Sequence, residues 1–365
     1  MLDDTLLADP GALAALDTGG VLRAAATAGA QVRSTAQAAH EAGLARLAGS
    51  RPRALVLLRR PGASGAAAAL TAALLGPACP VPVVVTESAP GWIGPLDVVV
   101  AHTAQATDVE LAESVARSVR RGAEVVLSAP AEGPVGSAGA GRARLLEPRL
   151  PVPPGLDLPR ALAVALATVS ALGLLPVPLD LGLDHLADVL DAEAERNHPG
   201  HDPFVNPAKS LALLLADRTP LLWGTDDAAA AVAGHGAAAL AGHAGVVAHA
   251  DELGRAVATP GLVRLLDLAR RDVFHDPFAD DVLVDAGPAA PPARLLLVAT
   301  GEEDPGQVSL RRAGRTWPDA HLLHPVEEVP RGTPNASLLR AAVLASRLDV
   351  AAVYLGLATR TITPA

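Results

Sequence analysis

Cysteine and aromatic residues are scarce in this sequence. The 365 residues include one cysteine, Cys79, and aromatic residues make up only 2% of the chain. A single cysteine excludes an intrachain disulfide framework and a zinc site built from several cysteines. Hydrophobic residues make up 50% of the chain, and nearly all of them are Ala, Val or Leu. Such small side chains must pack closely between layers of helices and strands, which favours an α/β architecture.

The sequence also lacks basic clusters and very long apolar runs. Its net charge is −10, and no group of basic residues is interleaved with aromatic residues as on a nucleic-acid-binding surface. No stretch reaches the roughly 18 uninterrupted apolar residues of a membrane-spanning helix. The first residues, Met1–Asp4, have no basic signal-peptide region. We therefore predict a cytoplasmic protein with neither a nucleic-acid nor a membrane partner.

Lysine is the rarest of the charged residues. Of the 29 lysine and arginine residues, only Lys209 is a lysine. An exposed lysine tolerates replacement by arginine, because a solvated charge demands little of its side chain. Two interpretations of Lys209 therefore remain open from the sequence: a site that needs a compact ammonium group, or survival by chance.

Residues 19–150 have the pattern of one parallel-sheet domain. After a long Ala-rich helix predicted over 19–47, short apolar runs alternate with helical segments. Strands that are apolar on both faces lie in parallel sheets that helices cover on both sides. The predicted strands are 54–58, 81–85, 97–101, 124–128 and 144–147.

The remaining residues divide into a connector and a second domain. Five prolines and one glycine lie between 148 and 159, a composition too stiff for regular structure and typical of a linker. We assign 151–200 to this connector and its linking helices, predicted at 159–174 and 183–197. The second domain, 201–365, repeats the alternation, with strands predicted at 220–224, 294–299 and 320–323 and helices at 207–215, 226–241, 305–315 and 335–357.

Segments of the second domain resemble a known family. Asn206-Pro207-Ala208-Lys209, followed by the strand Thr219–Gly224, is similar to segments of the bifunctional phosphoglucose/phosphomannose isomerases. Residues 343–355 and the ending Thr361–Pro364 resemble the C-terminal part of the same family, and most of all its TobH-like branch in high-GC bacteria. The resemblance implies two sugar-isomerase (SIS) domains, each a three-layer αβα sandwich with a parallel sheet, assembled as a homodimer.

The resemblance also implies where a phosphorylated sugar binds. In the family, hydroxyl groups and backbone N–H groups at helix N-termini hold the phosphate. By itself, a small-residue loop between a strand and a helix is also typical of an ordinary tight turn. The loops 62–65 and 102–107 take the places of the family's phosphate loops, and the implied ligands are Gly62, Ser64, Gly65, Thr103 and Thr107.

Three further residues are implied to bind substrate. Arg160 lies in a Pro-x-Arg sequence at a predicted helix start, and the alternative for it is a surface arginine. Asn206 and Lys209 belong to the family's Asn-Pro-Ala-Lys motif. Asn206 before Pro207 is also a common helix N-cap with proline in the first turn, an explanation that does not cover Lys209.

Isomerisation needs a carboxylate to move a proton, and here the sequence departs from the family. The family's Glu-Leu-Asn-His-Asn-Glu run corresponds to 252–257, so that the base position falls on Val257. Glu252 is the candidate substitute base, and Lys209 is a second catalytic candidate. The family needs no metal or cofactor, and no metal-ligand spacing appears among the histidines. We therefore predict neither a metal nor a cofactor.

Two functions remain open from the sequence. One is the aldose–ketose isomerisation of glucose 6-phosphate or mannose 6-phosphate to fructose 6-phosphate. The other is the binding of a sugar phosphate without catalysis, as a sensor or a partner subunit. The sequence does not decide whether the chain is an enzyme, because proteins that share a fold can have different functions.

Overall fold

The computed structural model describes residues 4–179, 182–272 and 291–362. Up to residue 171 the elements are α1 (Asp4–Leu7), α2 (Pro10–Leu16), α3 (Val21–Ala25), α4 (Ala28–Glu41), a 3-10 helix (Leu44–Leu47), β1 (Ala54–Leu58), α5 (Ala63–Leu75), β2 (Val83–Thr86), β3 (Asp97–His102), α6 (Val109–Arg120), β4 (Glu124–Ser128), α7 (Pro134–Gly139), β5 (Arg144–Leu145) and α8 (Leu158–Ala171). They continue with α9 (Gly182–Arg196), α10 (Pro207–Leu215), β6 (Thr219–Gly224), α11 (Asp227–Ala244), β7 (His249–Glu252), α12 (Leu253–Val257), α13 (Pro260–Asp272), β8 (Ala293–Val298), α14 (Pro305–Ala313), β9 (His321–Leu323) and α15 (Ala336–Ala358).

The first sheet is parallel and has the strand order β2-β1-β3-β4-β5. In the central pair, Ala54 of β1 lies opposite Asp97 of β3, and the register continues to Leu58 opposite Ala101. Each strand predicted before residue 150 is present, with ends within two residues of the prediction. The predicted α/β fold class is confirmed.

Alternate residues of β1 pack on opposite faces of the first sheet. Leu55 and Leu57 lie in a core with residues of α4, α5 and α8, whereas Val56 and Leu58 lie in a second core with residues of α6 and α7. Each fully buried valine or leucine contributes about 1.5–3 kcal/mol to folding. This burial on both sides explains why β1 has a continuous apolar run rather than an alternating pattern.

The second sheet is also parallel and has the order β7-β6-β8-β9. One face packs Trp223 of β6 against α12 and α13. On the other face, a Cβ added to Gly236 of α11 would meet a methyl carbon of Leu348 at 2.7 Å and one of Leu222 at 3.2 Å. Glycine at this position therefore allows α11 to lie close to the sheet and to α15. The prediction of two helix-covered parallel sheets is confirmed.

The last helix, α15, is long and apolar enough to cross a membrane by length and composition. All of its apolar window is buried inside the fold, as in the core helices of soluble proteins. It corresponds to the helix predicted over 335–357. In the family-like ending Thr361–Pro364, residues 363 and 364 lie outside the described residues.

Residue contacts divide the chain into two compact units. The first-sheet unit comprises Gly20–Arg196 and Gly332–Ser346, and the second-sheet unit comprises the described parts of Met1–Gly19, Asn197–Arg331 and Arg347–Ala365. The sequence-based division differs, because it sets 151–200 apart as a connector. In the structure α8 lines a core of the first sheet and α9 packs along α4, so both helices belong to the first-sheet unit.

Two local features differ from the sequence prediction. The helix predicted over 19–47 is interrupted after α3, where the Thr27 hydroxyl donates a hydrogen bond to the Ala24 carbonyl at 2.6 Å. The strand β7 was not among the predicted strands. Its sequence, His-Ala-Asp-Glu, has no apolar run and its residues are only half-buried, so neither pattern that signals a strand is present.

Candidate functional site

Ligands of open parallel sheets bind beyond the carboxyl ends of the strands, where neighbouring strands continue in opposite directions. In the first sheet this point lies between β1 and β3. The loop after β1 (59–62) and the loop after β3 (103–108) border it. We call the space between these two loops the first crevice. The predicted phosphate ligands belong to these loops or to the first turn of α5.

The start of α5 offers backbone donors to the first crevice. Gly62 precedes the helix with φ 91°, a conformation that favours glycine, and no side chain caps the first turn. Side chains cap α6, α10, α11 and α14, whereas α4, α7 and α8 have no side-chain cap either. The N–H groups of the first turn of α5 are therefore left to a ligand or to water, at the positive end of the helix dipole.

Two of the predicted hydroxyl ligands are engaged within their own loops. The buried Ser64 hydroxyl donates to the carbonyl of the last residue of β1 at 2.9 Å and accepts from the Arg60 N–H at 3.3 Å. The Thr103 hydroxyl accepts from the Gln105 N–H at 3.0 Å. Ser64 and Thr103 therefore shape the two turns. Thr107 is exposed and offers its hydroxyl to solvent.

An ion pair that sequence reasoning missed joins the two loops of the first crevice. Arg60 binds both carboxylate oxygens of Asp108, Nε to Oδ2 at 2.8 Å and Nη2 to Oδ1 at 2.9 Å, and its Nη1 lies 2.9 Å from Glu110. Burial would raise the pKa of Asp108, but hydrogen bonds from Arg60 and the Leu111 N–H outweigh it and hold the pKa below its usual range. A carboxylate charge is thus already paired with the arginine beside α5.

A buried Ser–His–Asp chain lies at the same edge of the first sheet. His102, the last residue of β3, places Nδ1 3.0 Å from the Ser128 hydroxyl and Nε2 2.8 Å from Asp157 Oδ2. Ser128 is 0% exposed. A nucleophilic serine must meet its substrate, so this chain is suited to joining β3, β4 and the start of α8 rather than to hydrolysis.

Arg160 lies in the first turn of α8, and its side chain is directed inwards. It is buried, and its guanidinium donates to the Leu150 carbonyl at 2.5 Å. Desolvation lowers the pKa of Arg160, and the charge of Asp157 offsets part of that effect. Arg160 therefore contacts the proline-rich segment before α8.

In the second-sheet unit, the Asn-Pro-Ala-Lys motif forms the start of α10. The buried Asn206 side chain accepts from the Lys209 N–H at 2.9 Å and donates to the His198 carbonyl at 3.1 Å. Asn206 is therefore the N-cap of α10, and its side chain also stabilises the preceding loop through the hydrogen bond to His198.

The lone lysine contacts that same loop. Lys209 is 0% exposed, and its Nζ donates to the carbonyls of Pro199 at 2.7 Å and His201 at 2.8 Å. The ammonium also lies 5.6 Å from the centroid of the Tyr354 ring. Desolvation lowers the pKa of Lys209, and the charge of Asp202 offsets part of that shift. This position needs a compact cation on a flexible stem, which arginine does not supply.

Glu252 ends β7 and caps α12. Its Oε2 accepts from the Arg255 N–H at 3.1 Å, and its Oε1 pairs with Arg312 at 2.5 Å. Burial alone would raise the pKa of Glu252, but hydrogen bonds from the Gly254 N–H, Arg312 and the Arg255 N–H outweigh it, and the pKa lies below its ordinary value. A carboxylate held in this way is a weakened base. The geometry therefore indicates a structural role for Glu252, as the cap of α12 and the partner of Arg312.

In the second sheet, neighbouring strands continue in opposite directions between β6 and β8. The Asp226 side chain occupies the carboxyl end of these two strands. Its Oδ1 accepts from the Thr300 hydroxyl at 2.7 Å and the Ala229 N–H at 2.8 Å, and its Oδ2 accepts from the N–H groups of Thr300 and Gly301, each at 3.2 Å. Backbone N–H groups that converge in this way form anion sites. The chain's own carboxylate therefore occupies the anion position of the second sheet.

Replacing Glu252 with glutamine should destabilise the protein by about 1–2 kcal/mol at pH 7, because the helix cap and the pair with Arg312 are weakened. The folded-state pKa of Glu252 is lowered, so its stabilising effect is complete above the unfolded pKa and is lost as the pH falls through the folded one. Urea unfolding at several pH values measures this. Exposed Glu327, changed to glutamine, is the control; equal effects of the two variants at pH 7 would contradict the capping role.

Solved structures match the fold of this chain along most of its length. A candidate phosphosugar isomerase from Silicibacter pomeroyi matches with a TM-score of 0.59 and 13% identity, over 94% of this chain and 99% of that one. Tagatose-6-phosphate ketose/aldose isomerase from Escherichia coli matches with a TM-score of 0.57 and 10% identity, over 95% and 93%. The chain has the SIS-type fold.

Another SIS-fold match has a different reaction in its name. The C-terminal domain of glucosamine-fructose-6-phosphate aminotransferase from Francisella tularensis matches with a TM-score of 0.58 and 10% identity, over 93% of this chain and 96% of that one. No protein-family model matches the chain, and no curated protein matches its sequence significantly. At these identities the SIS fold is shared, and the reaction must be argued from the residues.

Proposed function

We propose that this SIS-fold chain binds a phosphorylated sugar at the start of α5 and does not isomerise it. One observation carries the proposal: the first turn of α5, at the switch point of the first sheet, has no side-chain cap and lies beside Arg60. The chain would then act as a sugar-phosphate sensor or as a partner subunit. The homodimer that the family resemblance implies and the cytoplasmic location predicted from the sequence composition belong to the same proposal.

The contacts of the catalytic candidates favour binding without turnover. A proton-transfer base needs a carboxylate that is free to approach a substrate carbon. Glu252 caps α12 and pairs with Arg312, and Lys209 donates to two loop carbonyls. Val257, at the base position of the family, has no group that accepts a proton. Isomerisation of glucose 6-phosphate or mannose 6-phosphate is therefore the less favoured function.

The donors for a phosphate lie at the first crevice. The first-turn N–H groups of α5 and the exposed Thr107 hydroxyl are suited to phosphate oxygens. Arg60 is the neighbouring cation, and phosphate must compete with Asp108 for it. In the second sheet the Asp226 carboxylate holds the matching position. We therefore expect each chain to bind one phosphate group.

Calorimetric titration with fructose 6-phosphate, glucose 6-phosphate and mannose 6-phosphate tests the binding. We expect one site per chain, together with no interconversion of the three sugars by nuclear magnetic resonance. Interconversion that is lost in the Glu252→Gln variant would support the isomerase instead. No binding of any of the three would refute the proposal.

Replacing Gly65 with aspartate should weaken sugar-phosphate binding at least tenfold, because it places a carboxylate in the first turn of α5. A Cβ at this position meets only the Arg60 carbonyl oxygen at 3.7 Å, an ordinary contact. The Gly65→Asn variant has the same size without the charge and is the matched control. Equal binding by the two variants would remove the phosphate from this helix start.

A further inference from the structure

A concave site of about 480 Å³ lies at the amino edge of the first sheet. It is formed by residues just before β1, before β3 and after α6: Arg53, Trp92, Ile93, Gly94, Pro95, Leu96 and Arg121. The first crevice lies at the other ends of the same strands. At about 3.3 Å per residue, β1 alone separates the two edges by roughly 16 Å. We call this concave site the tryptophan site, and it is distinct from the proposed phosphate site.

Both arginines of the tryptophan site are held in place by protein acceptors. Arg53 binds both oxygens of the fully buried Asp97 carboxylate, at 3.0 and 2.5 Å, and also the Trp92 carbonyl at 3.0 Å. Arg121 donates its Nε to the Ile93 carbonyl at 2.7 Å. Within the described ranges, the terminal amino groups of Arg121 make no hydrogen bond. Arg121 therefore presents a fixed guanidinium whose charge has no partner there.

The remaining residues of the site are Trp92, Ile93, Gly94, Pro95 and Leu96, whose side chains are apolar. Trp92 is 44% exposed and Leu96 is 69% exposed, in a chain with very few aromatic residues. The Arg53 guanidinium lies 5.3 Å from the centroid of the Trp92 ring, which fixes the indole by a cation–π contact. The other tryptophans, Trp223 and Trp317, are buried in the second-sheet unit.

Charge and shape together define one class of ligand. Asp97 pairs with Arg53, whereas no acidic side chain among the described residues pairs with Arg121, so the site favours one negative charge. A planar guanidinium binds the two oxygens of a carboxylate or phosphate side by side. An aromatic ring stacks on exposed indole. We infer that the tryptophan site binds a small aromatic anion, with its anionic group on Arg121 and its ring against Trp92.

Benzoate is the probe, with acetate as the anion that lacks a ring and benzamide as the ring that lacks a charge. Binding is measured by calorimetry and by protection of Trp92 from quenching by acrylamide, a neutral quencher that reaches exposed indole. We expect benzoate to bind at least tenfold more tightly than either reference compound and to protect the fluorescence. Equal binding of the three compounds, or no binding of benzoate, would overturn the inference.

Two variants locate the site. Arg121→Met should weaken benzoate binding at least tenfold, whereas Arg120→Met, which removes the same charge from the exposed neighbouring residue, should leave it unchanged. Trp92→Leu should also weaken binding, and thermal melts of each variant establish that it is folded. If folded Arg121→Met bound benzoate as tightly as the wild type, Arg121 would not hold the anion and the inference would be wrong. If Trp92→Leu dissociated a dimer, this surface would be a subunit interface and not a ligand site. Gly65→Asp should not change benzoate binding, which separates this site from the proposed phosphate site.

Discussion

Replacing Lys209 with methionine is expected to lower the free energy of unfolding by about 2–4 kcal/mol, because two partly buried carbonyls each lose a bond to a charged donor. Those carbonyls belong to Pro199 and His201. Urea unfolding followed by circular dichroism measures the loss. Lys209→Arg should also destabilise the protein, since a wide guanidinium does not fit where the ammonium is fully enclosed.

The matched control for Lys209 is Arg218→Met, which removes one positive charge from an exposed position in the same unit. Its effect should stay within about 0.5 kcal/mol. Asn206→Ala should cost about 1 kcal/mol through the lost helix cap. If Lys209→Met unfolded like the wild type but bound sugar phosphate more weakly, the ammonium would be a ligand group and the structural role would be wrong.

Replacing Asp108 with asparagine is expected to tighten sugar-phosphate binding tenfold or more. The substitution removes the carboxylate that pairs with Arg60, and asparagine still caps α6 through the Leu111 N–H. Removing one charge about 5 Å from a phosphate is worth roughly 1–3 kcal/mol at the effective dielectric constant of a protein surface. Calorimetric titration with fructose 6-phosphate at low and high salt measures the change.

Glu113→Gln is the control for Asp108, because Glu113 is an exposed acid of the same helix. It should change the affinity less than twofold at 0.15 M salt, where charges beyond about 8 Å are screened. Affinity that stays constant or falls in Asp108→Asn would mean that phosphate does not compete with this carboxylate. Arg60 would then not be part of the binding site.

The strands of the first sheet were predictable because a short continuous apolar run between helical segments has few alternatives. Ala54–Leu58 is buried along its whole length, and its sequence has no polar residue. The cap of α10 was predictable for a similar reason, since Asn206 and Pro207 act on residues within one helical turn. Local patterns of this kind depend on few neighbours.

The chemistry of the candidate site depends on partners that are distant in the sequence. Asp226 caps α11 locally through the Ala229 N–H, yet it also binds Thr300, 74 residues further along. Arg60 and Asp108 are 48 residues apart. No spacing rule predicts such a pair, because it depends on which strands become neighbours in the sheet. The family resemblance made Glu252 the candidate base, and it could not reveal the pairing with Arg312, which lies 60 residues away.

The burial of Lys209 also determines how the folded protein reacts with amine-directed reagents. The chain has no other lysine, and this one is fully enclosed with its ammonium bonded to two carbonyls. Acylating reagents attack a neutral, accessible amine, so the Lys209 side chain is protected from them while the protein is folded. Acylation of Lys209 therefore reports the opening of the loop 197–206, and its rate in mild denaturant is a direct measure of local unfolding.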